Sequence, residues 1–380
     1  MEKIKLIQFL VLITVLPCCD NDNPRLFPDS ESFTNDNLKH IHLLDGQHLE
    51  LEPITNIYRY EIIDSLLICS GTSVDNYCKM HIYSLNTNKR IVSFADEGRG
   101  PGEFIRVDAF YISRKKREIY IIDNSQQLMI TYSIDSIIRN QRATPSHKAL
   151  FRESTFTPEY MIDTCTFLCE MAIPYKSPYV LNKVRYPSFE KLSIAGYPPL
   201  NNFDSINLAR HYQGVFGRNV SYNDEAKRIV VAYAATDLIE IYDEDLNRLV
   251  RIHGPDHFFP EYQVEGTPRT YDHISYNGKS IKDIGVMGLM VNPIKGVARY
   301  GYLFVTTTSK GVYAVYSGDL VAESNTSPPE MKTVYFFDYK GKAKRKFTFE
   351  SGDIHVIKVD QNDEKLYTLY MGNLVVYKMK

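Results

Sequence analysis

One hairpin pattern recurs along this chain. Ile119-Tyr120-Ile121-Ile122-Asp123 precedes Leu128-Met129-Ile130-Thr131-Tyr132, and Ile229-Val230-Val231-Ala232-Tyr233 precedes Leu238-Ile239-Glu240-Ile241-Tyr242. Leu303-Phe304-Val305 likewise precedes Val312-Tyr313-Ala314-Val315-Tyr316, with the same separation from first apolar residue to closing tyrosine. A shorter version runs from Leu366-Tyr367 to Leu374-Val375-Val376-Tyr377. Each unit reads as a buried strand, a polar turn and a second strand ending in tyrosine. A hairpin cannot bury both faces alone, so stacked copies imply a solenoid or a propeller. Long helical periodicity is absent.

A second element appears twice. Gly100-Pro101-Gly102-Glu103-Phe104 and Gly254-Pro255-Asp256-His257-Phe258 both follow a strand and share Gly-Pro-x-x-Phe. Glycine permits the turn, proline restrains φ, and the phenylalanine plugs the gap between sheets. These segments read as connections between blades. The chain has 380 residues, 44% hydrophobic and 24% charged, so it folds, and it exceeds the usual size of one core. The reading is an all-β, six-bladed β-propeller, with seven blades or two β-domains as alternatives. Four-stranded blades take about 40–50 residues each. They are laid out at Ile54–Phe94, Phe104–Ile138, Ala149–Tyr186, Val215–Ile252, Tyr271–Ser317 and Lys332–Lys380, with His40-Ile41-His42-Leu43-Leu44 completing the last. The segments Ile194 to Asn202 and Phe259 to Arg269 read as insertions or as a boundary between two β-domains.

The N-terminus has its own chemistry. Lys3 and Lys5 precede an apolar run from Leu6 to Leu16, then Pro17-Cys18-Cys19-Asp20. That is the form of a secretory signal, too short to cross a bilayer core about 30 Å thick. Its end resembles a lipobox, with Leu16 at −3 and Cys19 as the lipidated residue. Cys18 is the rival acceptor, but it would set Pro17 before the cleaved bond. Asp20-Asn21-Asp22-Asn23-Pro24 is a polar tether, and an acidic stretch there suggests surface display. The expected organisation is therefore a signal peptide at 1–18, a flexible tether at 19–32 and one propeller domain at 33–380, in an outer-membrane lipoprotein of the cell envelope, on its periplasmic or its outer face. Cys69 and Cys78 flank a turn-like stretch and are placed to pair across a hairpin. Cys165 and Cys169 read as small buried residues.

The stretches Glu97–Phe104, Arg251–Asp256, Val312–Gly318 and Val334–Gly341, taken together and in order, resemble the TolB-like six-bladed propeller lipoproteins of Gram-negative gut-type bacteria. The resemblance extends from about Phe94 to the C-terminus and includes the signal. It implies a six-bladed propeller on a lipid anchor and carries over no catalytic residue.

Net charge is −2, which disfavours a nucleic-acid partner. The chain lacks a Gly-x-Ser-x-Gly elbow and a Walker loop. Polar residues at strand ends that a channel site would draw on are Asp123, Asn124, Arg218, Asn219, Asp237 and Lys310, although turn roles are favoured for each. His253, His257 and His273 do not read as a metal set, because Gly254-Pro255 marks a loop and the four-residue spacing of a helix face does not apply. Arg114-Lys115-Lys116-Arg117 reads as a solvated hairpin turn. No catalytic, cofactor or metal residue is assigned; calcium is the one cofactor kept open. The chain contains 28 tyrosines and no tryptophan, so packing between blades is the default role for its aromatics. The expected function is a lipid-anchored scaffold binding a glycan, peptide or protein partner, and the alternative is a hydrolase or lyase acting on an extracellular substrate in the channel. Cys19→Ser should abolish lipid labelling and leave the precursor unprocessed or release soluble protein. Unchanged labelling would move the acceptor to Cys18 or remove the lipoprotein reading.

Overall fold

A computed structural model describes residues 27–43, 46–53, 55–73, 75, 79–100, 102–151, 156–163, 165–171, 179–199, 214–276, 279–322, 329–350, 354, 356–370 and 372–379. The strands assemble into six sheets arranged as blades, plus a separate two-stranded ribbon. The first blade is Thr55–Ile63, Leu66–Ser73, Met80–Ser84 and Arg90–Phe94. The second is Ala109–Ser113, Glu118–Asp123, Leu128–Ser133 and Pro145–Leu150. The third is Phe156–Asp163, Thr166–Met171, Tyr179–Arg185 and Glu190–Gly196. The fourth is Arg218–Asn223, Arg228–Tyr233, Leu238–Tyr242 and Arg248–His253. The fifth is Tyr302–Thr308, Gly311–Tyr316, Thr333–Asp338 and Ala343–Phe349. The sixth joins Ile357–Val359, Lys365–Tyr370 and Asn373–Lys378 to Gln47–His48 from the other end of the chain. First strands of neighbouring blades contact one another around the axis.

Six apolar layers hold the ring, one at each junction. Ile68, Met80 and Phe94 of the first blade meet Phe110, Ile119 and Ile121 of the second. Further layers join the second blade to the third, the third to the fourth, the fourth to the fifth and the fifth to the sixth. The last layer packs Leu369 and Leu374 of the sixth blade on Ile57, Tyr60 and Leu67 of the first, which closes the circle. Each blade is therefore apolar on both faces, which explains the runs of consecutive buried residues in its middle strands. Tyrosines bind the layers together at their polar tips. Tyr60 donates to the carbonyls of Val356 (2.9 Å) and Tyr367 (2.7 Å) across the closing junction, and Tyr302 donates to Gly254 O (2.6 Å).

The structure corrects several sequence boundaries. One ring of six blades replaces both alternatives, seven blades and two β-domains. The hairpins starting at Ile119, Ile229 and Leu366 are second and third strands, but Leu303–Tyr316 supplies the first and second strands of the fifth blade. Period-two alternation marks paired strands without telling which lies innermost. The fifth blade therefore runs from Tyr302 to Phe349, and the sixth begins at Ile357. Residues Tyr262–Tyr276 and Lys279–Pro293 form the separate ribbon, each strand 15 residues long. Ala149 ends the second blade instead of opening the third, because a helix at Ile134–Asn140 precedes that blade's fourth strand. Ser133 caps this helix by accepting from Ser136 N, and Ile134 and Ile137 anchor it in the core.

The N-terminal segment also differs from expectation. Lys39–Leu43 does not complete the last blade. It lies parallel to Ala343–Phe349 on the outer edge of the fifth. Gln47–His48 makes the closure, pairing antiparallel with Val376 and Val375. Gly46 crosses directly over the Tyr377 ring, where a Cβ would sit 2.6 Å from the ring. Ser30–Ser32 pairs in parallel with Arg251–His253 on the fourth blade, so residues 27–32 are docked, where the sequence reading had the tether. The segment thus caps the outer edges of three consecutive blades, which hides their unpaired backbone groups. Cys69 and Cys169 are buried, whereas Cys165 is exposed in a turn, against the reading of the second pair as buried. Cys18, Cys19 and Cys78 lie outside the described residues.

Phe27 anchors the segment. It is 2% exposed, and its ring lies 4.5 Å from Phe259 and 4.9 Å from His253 by centroids. Phe27→Ala should destabilise the protein by about 3–5 kcal/mol, the usual range for emptying such a site. Urea unfolding measures this, and a loss below about 1 kcal/mol would mean that docking of the segment adds little to the folded core.

Candidate functional site

The two ends of the propeller axis are built differently. First strands run from a front face to a back face, where each turns into the second strand. On the back face the turns are tied together. Asp224 of the fourth blade accepts hydrogen bonds from Ser113 Oγ (2.5 Å) and Lys115 N (3.0 Å) of the second. Arg117 pairs with Asp64 of the first blade and with Asp135. Lys310 donates to Asn362 O (2.8 Å) and lies 3.2 Å from Asp363, joining the fifth blade to the sixth. The Arg114–Arg117 run is the hairpin turn expected, and part of it is bonded.

Charged groups toward the front face belong to the inner strands. Arg218 opens the fourth blade and reaches the third. Its guanidinium lies 2.6 Å from Glu159 and 3.4 Å from Glu170, with a side chain only 7% exposed. Burial disfavours the Arg218 cation, but the two carboxylates more than offset this and raise its pKa. Burial likewise raises the Glu170 pKa, with Arg218 opposing and Glu159 reinforcing the shift. Tyr197 beside them is pushed up to about 12, mainly by burial. On the other side of the axis Glu61 of the first blade pairs with Lys358 of the sixth. The Tyr160 hydroxyl, held by Val220 O at 3.0 Å, is buried within the influence of Glu61, Glu159, Arg218 and Arg59.

Of the six strand-end residues named from the sequence, Asp123, Asn124, Arg218, Asn219 and Asp237 lie on the front half and Lys310 on the back. They do not converge. Asp123 is fully buried and accepts from Ile105 N (2.8 Å), Arg106 N (3.2 Å) and Gln126 N (2.9 Å). Asp237 does the same for the second Gly-Pro-x-x-Phe segment, accepting from Asp256 N, His257 N and Phe258 N. Each connection is thus fastened by one buried aspartate, while Phe104 fills the layer between the first two blades. Asn124 N donates to Asp108, and Asn219 Nδ2 to Tyr302 O, so both serve the frame. His253 is buried, with one ring nitrogen facing Asp237 Oδ1 at 3.0 Å and the other accepting from Phe27 N. The side chain of His273 lies outside the described residues. Among the described residues no group of three or more His, Cys, Asp or Glu side chains is gathered as a metal site.

The feature that the sequence reading missed is at the front mouth. A β-bulge interrupts the first strand of the first blade, where Ile57 faces Gly71, Arg59 faces Ser70, and Tyr58 has no partner of its own. The bulge leaves Tyr58 and Arg59 both exposed, although successive strand residues ordinarily point to opposite faces. Gly71 is required opposite it, since a Cβ there would sit 2.3 Å from Asn56 O. Tyr58 and Arg59 border a cavity of about 340 Å³ between the first two blades, together with Ser70, Thr72, Lys79 and Arg106. A bulge leaves no mark in the hydrophobic alternation, and only the pair of polar-tipped residues before Tyr60 hinted at it.

The Arg218 cluster is testable through its charge. Arg218→Met strands two partly buried carboxylates, which should cost about 2 kcal/mol at pH 7 after allowance for their exposure. With Arg218 gone, the Glu170 pKa, already raised by burial, loses the one contact that lowers it and lies above the unfolded glutamate value of about 4.3. A raised folded pKa adds stability at low pH and loses it as pH rises, so the deficit should shrink toward pH 4.5. Urea unfolding at both pH values checks this, and an equal deficit at each would refute the electrostatic account.

The TolB-like 6-blade propeller-like family matches residues 39–362. No curated protein matches. A crystal structure of a member of the DUF4221 family from Bacteroides vulgatus superposes with a TM-score of 0.54 at 11% identity, covering 90% of this chain and 95% of that one. Hsv2 from Kluyveromyces marxianus gives a TM-score of 0.42 at 11% identity, over 86% of this chain and 73% of its own. With six blades in a closed ring and a family match spanning most of its length, the chain belongs to the TolB-like six-bladed propeller family.

Proposed function

We propose that this protein is a lipid-anchored recognition scaffold of the cell envelope, held in the outer membrane through Cys19, whose front face binds a glycan, peptide or protein partner. The observation that carries this reading is the asymmetry of the axis. Back-face turns spend their polar groups on one another, as Asp224 does with Ser113 and Lys115. The front mouth instead presents an exposed tyrosine and an exposed arginine on a bulge. The signal-like N-terminus and Cys19 support export and anchoring. Propellers commonly serve as interaction platforms, which supports binding in general and leaves the partner to the chemistry of the mouth.

A second reading is a hydrolase or lyase in the channel. It draws on Glu170, whose raised pKa beside Glu159 and Arg218 suits a proton donor. Thermal unfolding of the mature lipoprotein in detergent, against saccharide fragments, short peptides and calcium, separates the two. A ligand at 100 times its Kd adds about 2.7 kcal/mol, a rise of about 4 °C for a chain of this size. A shift without turnover of the ligand supports recognition. Turnover that disappears in Glu170→Gln supports the enzyme and overturns the scaffold.

A further inference from the structure

We propose that the cavity at the front mouth between the first and second blades is a binding site for an acidic sugar, a uronate within a glycan chain. This deepens the recognition reading given above and rests on it. The cavity is about 340 Å³, within the range of small-ligand sites. Its lining is mostly hydroxyls and cations, with Asp108 as the one carboxylate and Val107 as the one aliphatic side chain of any size.

The charges single out one residue. Lys79 is paired with Glu97 at 2.8 Å, and Arg106 with Asp108 at 2.7 Å. The Arg59 side chain makes no hydrogen bond or ion pair among the described residues, although its charge is felt by the buried Tyr160 hydroxyl. The site therefore holds about one uncompensated positive charge, on a group whose planar fork matches a carboxylate in bidentate fashion. A single charge suits a carboxylate better than a doubly charged phosphate. Tyr58 stands beside it, 58% exposed, with its hydroxyl held near Thr72 Oγ1 at 3.2 Å. A ring fixed in that way offers a rigid face for the C–H surface of a pyranose, and Ser70 and Thr72 offer hydroxyls to sugar hydroxyls. A peptide held by apolar anchors would need side-chain pockets, and this lining lacks them.

The bulge is what assembles the pair. Without the extra residue, Tyr58 and Arg59 would point to opposite faces of the strand. Gly71 permits the bulge by letting Asn56 O approach. The recognition pair thus depends on a glycine that lines the cavity without contributing a side chain to it.

The test uses the full mature lipoprotein and titration calorimetry with three probes: trigalacturonate, its methyl ester and neutral galactotriose. Trigalacturonate should bind, and esterification should weaken it at least tenfold. Arg59→Gln should weaken the acid to the same degree and leave the ester unchanged, so the variant no longer distinguishes the two. Tyr58→Ala should weaken both. Arg59 is exposed and unpaired, so Arg59→Gln should keep the wild-type Tm, which serves as the folding control. If Arg59→Gln still prefers the acid, or if the preference disappears in Arg218→Gln instead, the assignment to this cavity is wrong while the recognition reading stands. If none of the three saccharides binds but a peptide or protein partner is found, the sugar proposal falls alone. If no saccharide, peptide or envelope protein engages the front face, both fall.

Discussion

The apolar layer between the sixth and first blades is the contact on which the ring depends. The other junctions join segments that are neighbours in sequence. This one joins residues near position 60 to residues near position 370, as when Tyr60 bonds the carbonyls of Val356 and Tyr367. Its loop-closure entropy is the largest in the molecule, and apolar burial must offset it. The short strand Gln47–His48 fastens the same junction from outside by completing the sixth blade. Opening this layer would expose two apolar sheet faces together.

The N-terminal segment extends that closure backwards. Before reaching the sixth blade, it covers the outer edge of the fourth with Ser30–Ser32 and of the fifth with Lys39–Leu43. Both additions are parallel, so they cap an edge without needing a hairpin. Phe27 and the buried His253 lock the start of the segment, and Arg251 donates to Pro28 O at 2.8 Å. Arg251 also completes a buried cluster in which Glu240 accepts from Tyr233, Tyr242 and Arg251. The outer edge of the fourth blade and its interior polar cluster are therefore one structure. Such a satisfied cluster specifies a unique arrangement more than it adds stability.

The front and back faces divide the labour of the polar residues. Asp123 and Asp237, which look alike as strand-end acids, hold the two Gly-Pro-x-x-Phe connections through backbone amides. They are framework. Arg218 with Glu159 and Glu170 bridges the third and fourth blades along the axis. Tyr58 and Arg59 differ in kind, since a bulge turns them outward and the Arg59 side chain forms no hydrogen bond or ion pair among the described residues. A polar group near a channel acquires a binding role when the scaffold has not already used it.

Sequence alone determined the class of this protein. Hairpin units of buried apolar runs closed by tyrosine admit few architectures, and the Gly-Pro-x-x-Phe segments marked two real junctions. That information is local, because strand pairing within a hairpin is set by alternation and turn residues a few positions apart. Three things were decided only in three dimensions. Which hairpin lies innermost depended on contacts between blades, so Leu303–Tyr316 was read in the wrong place. Which N-terminal strand closes the ring depended on edges that exist only once the fifth and sixth blades have formed. The mouth depended on a bulge, which inserts one residue without disturbing composition or period, and on whether Arg59 finds a partner. Those are long-range properties, and a linear pattern carries no record of which side chain is left unpaired when distant strands meet.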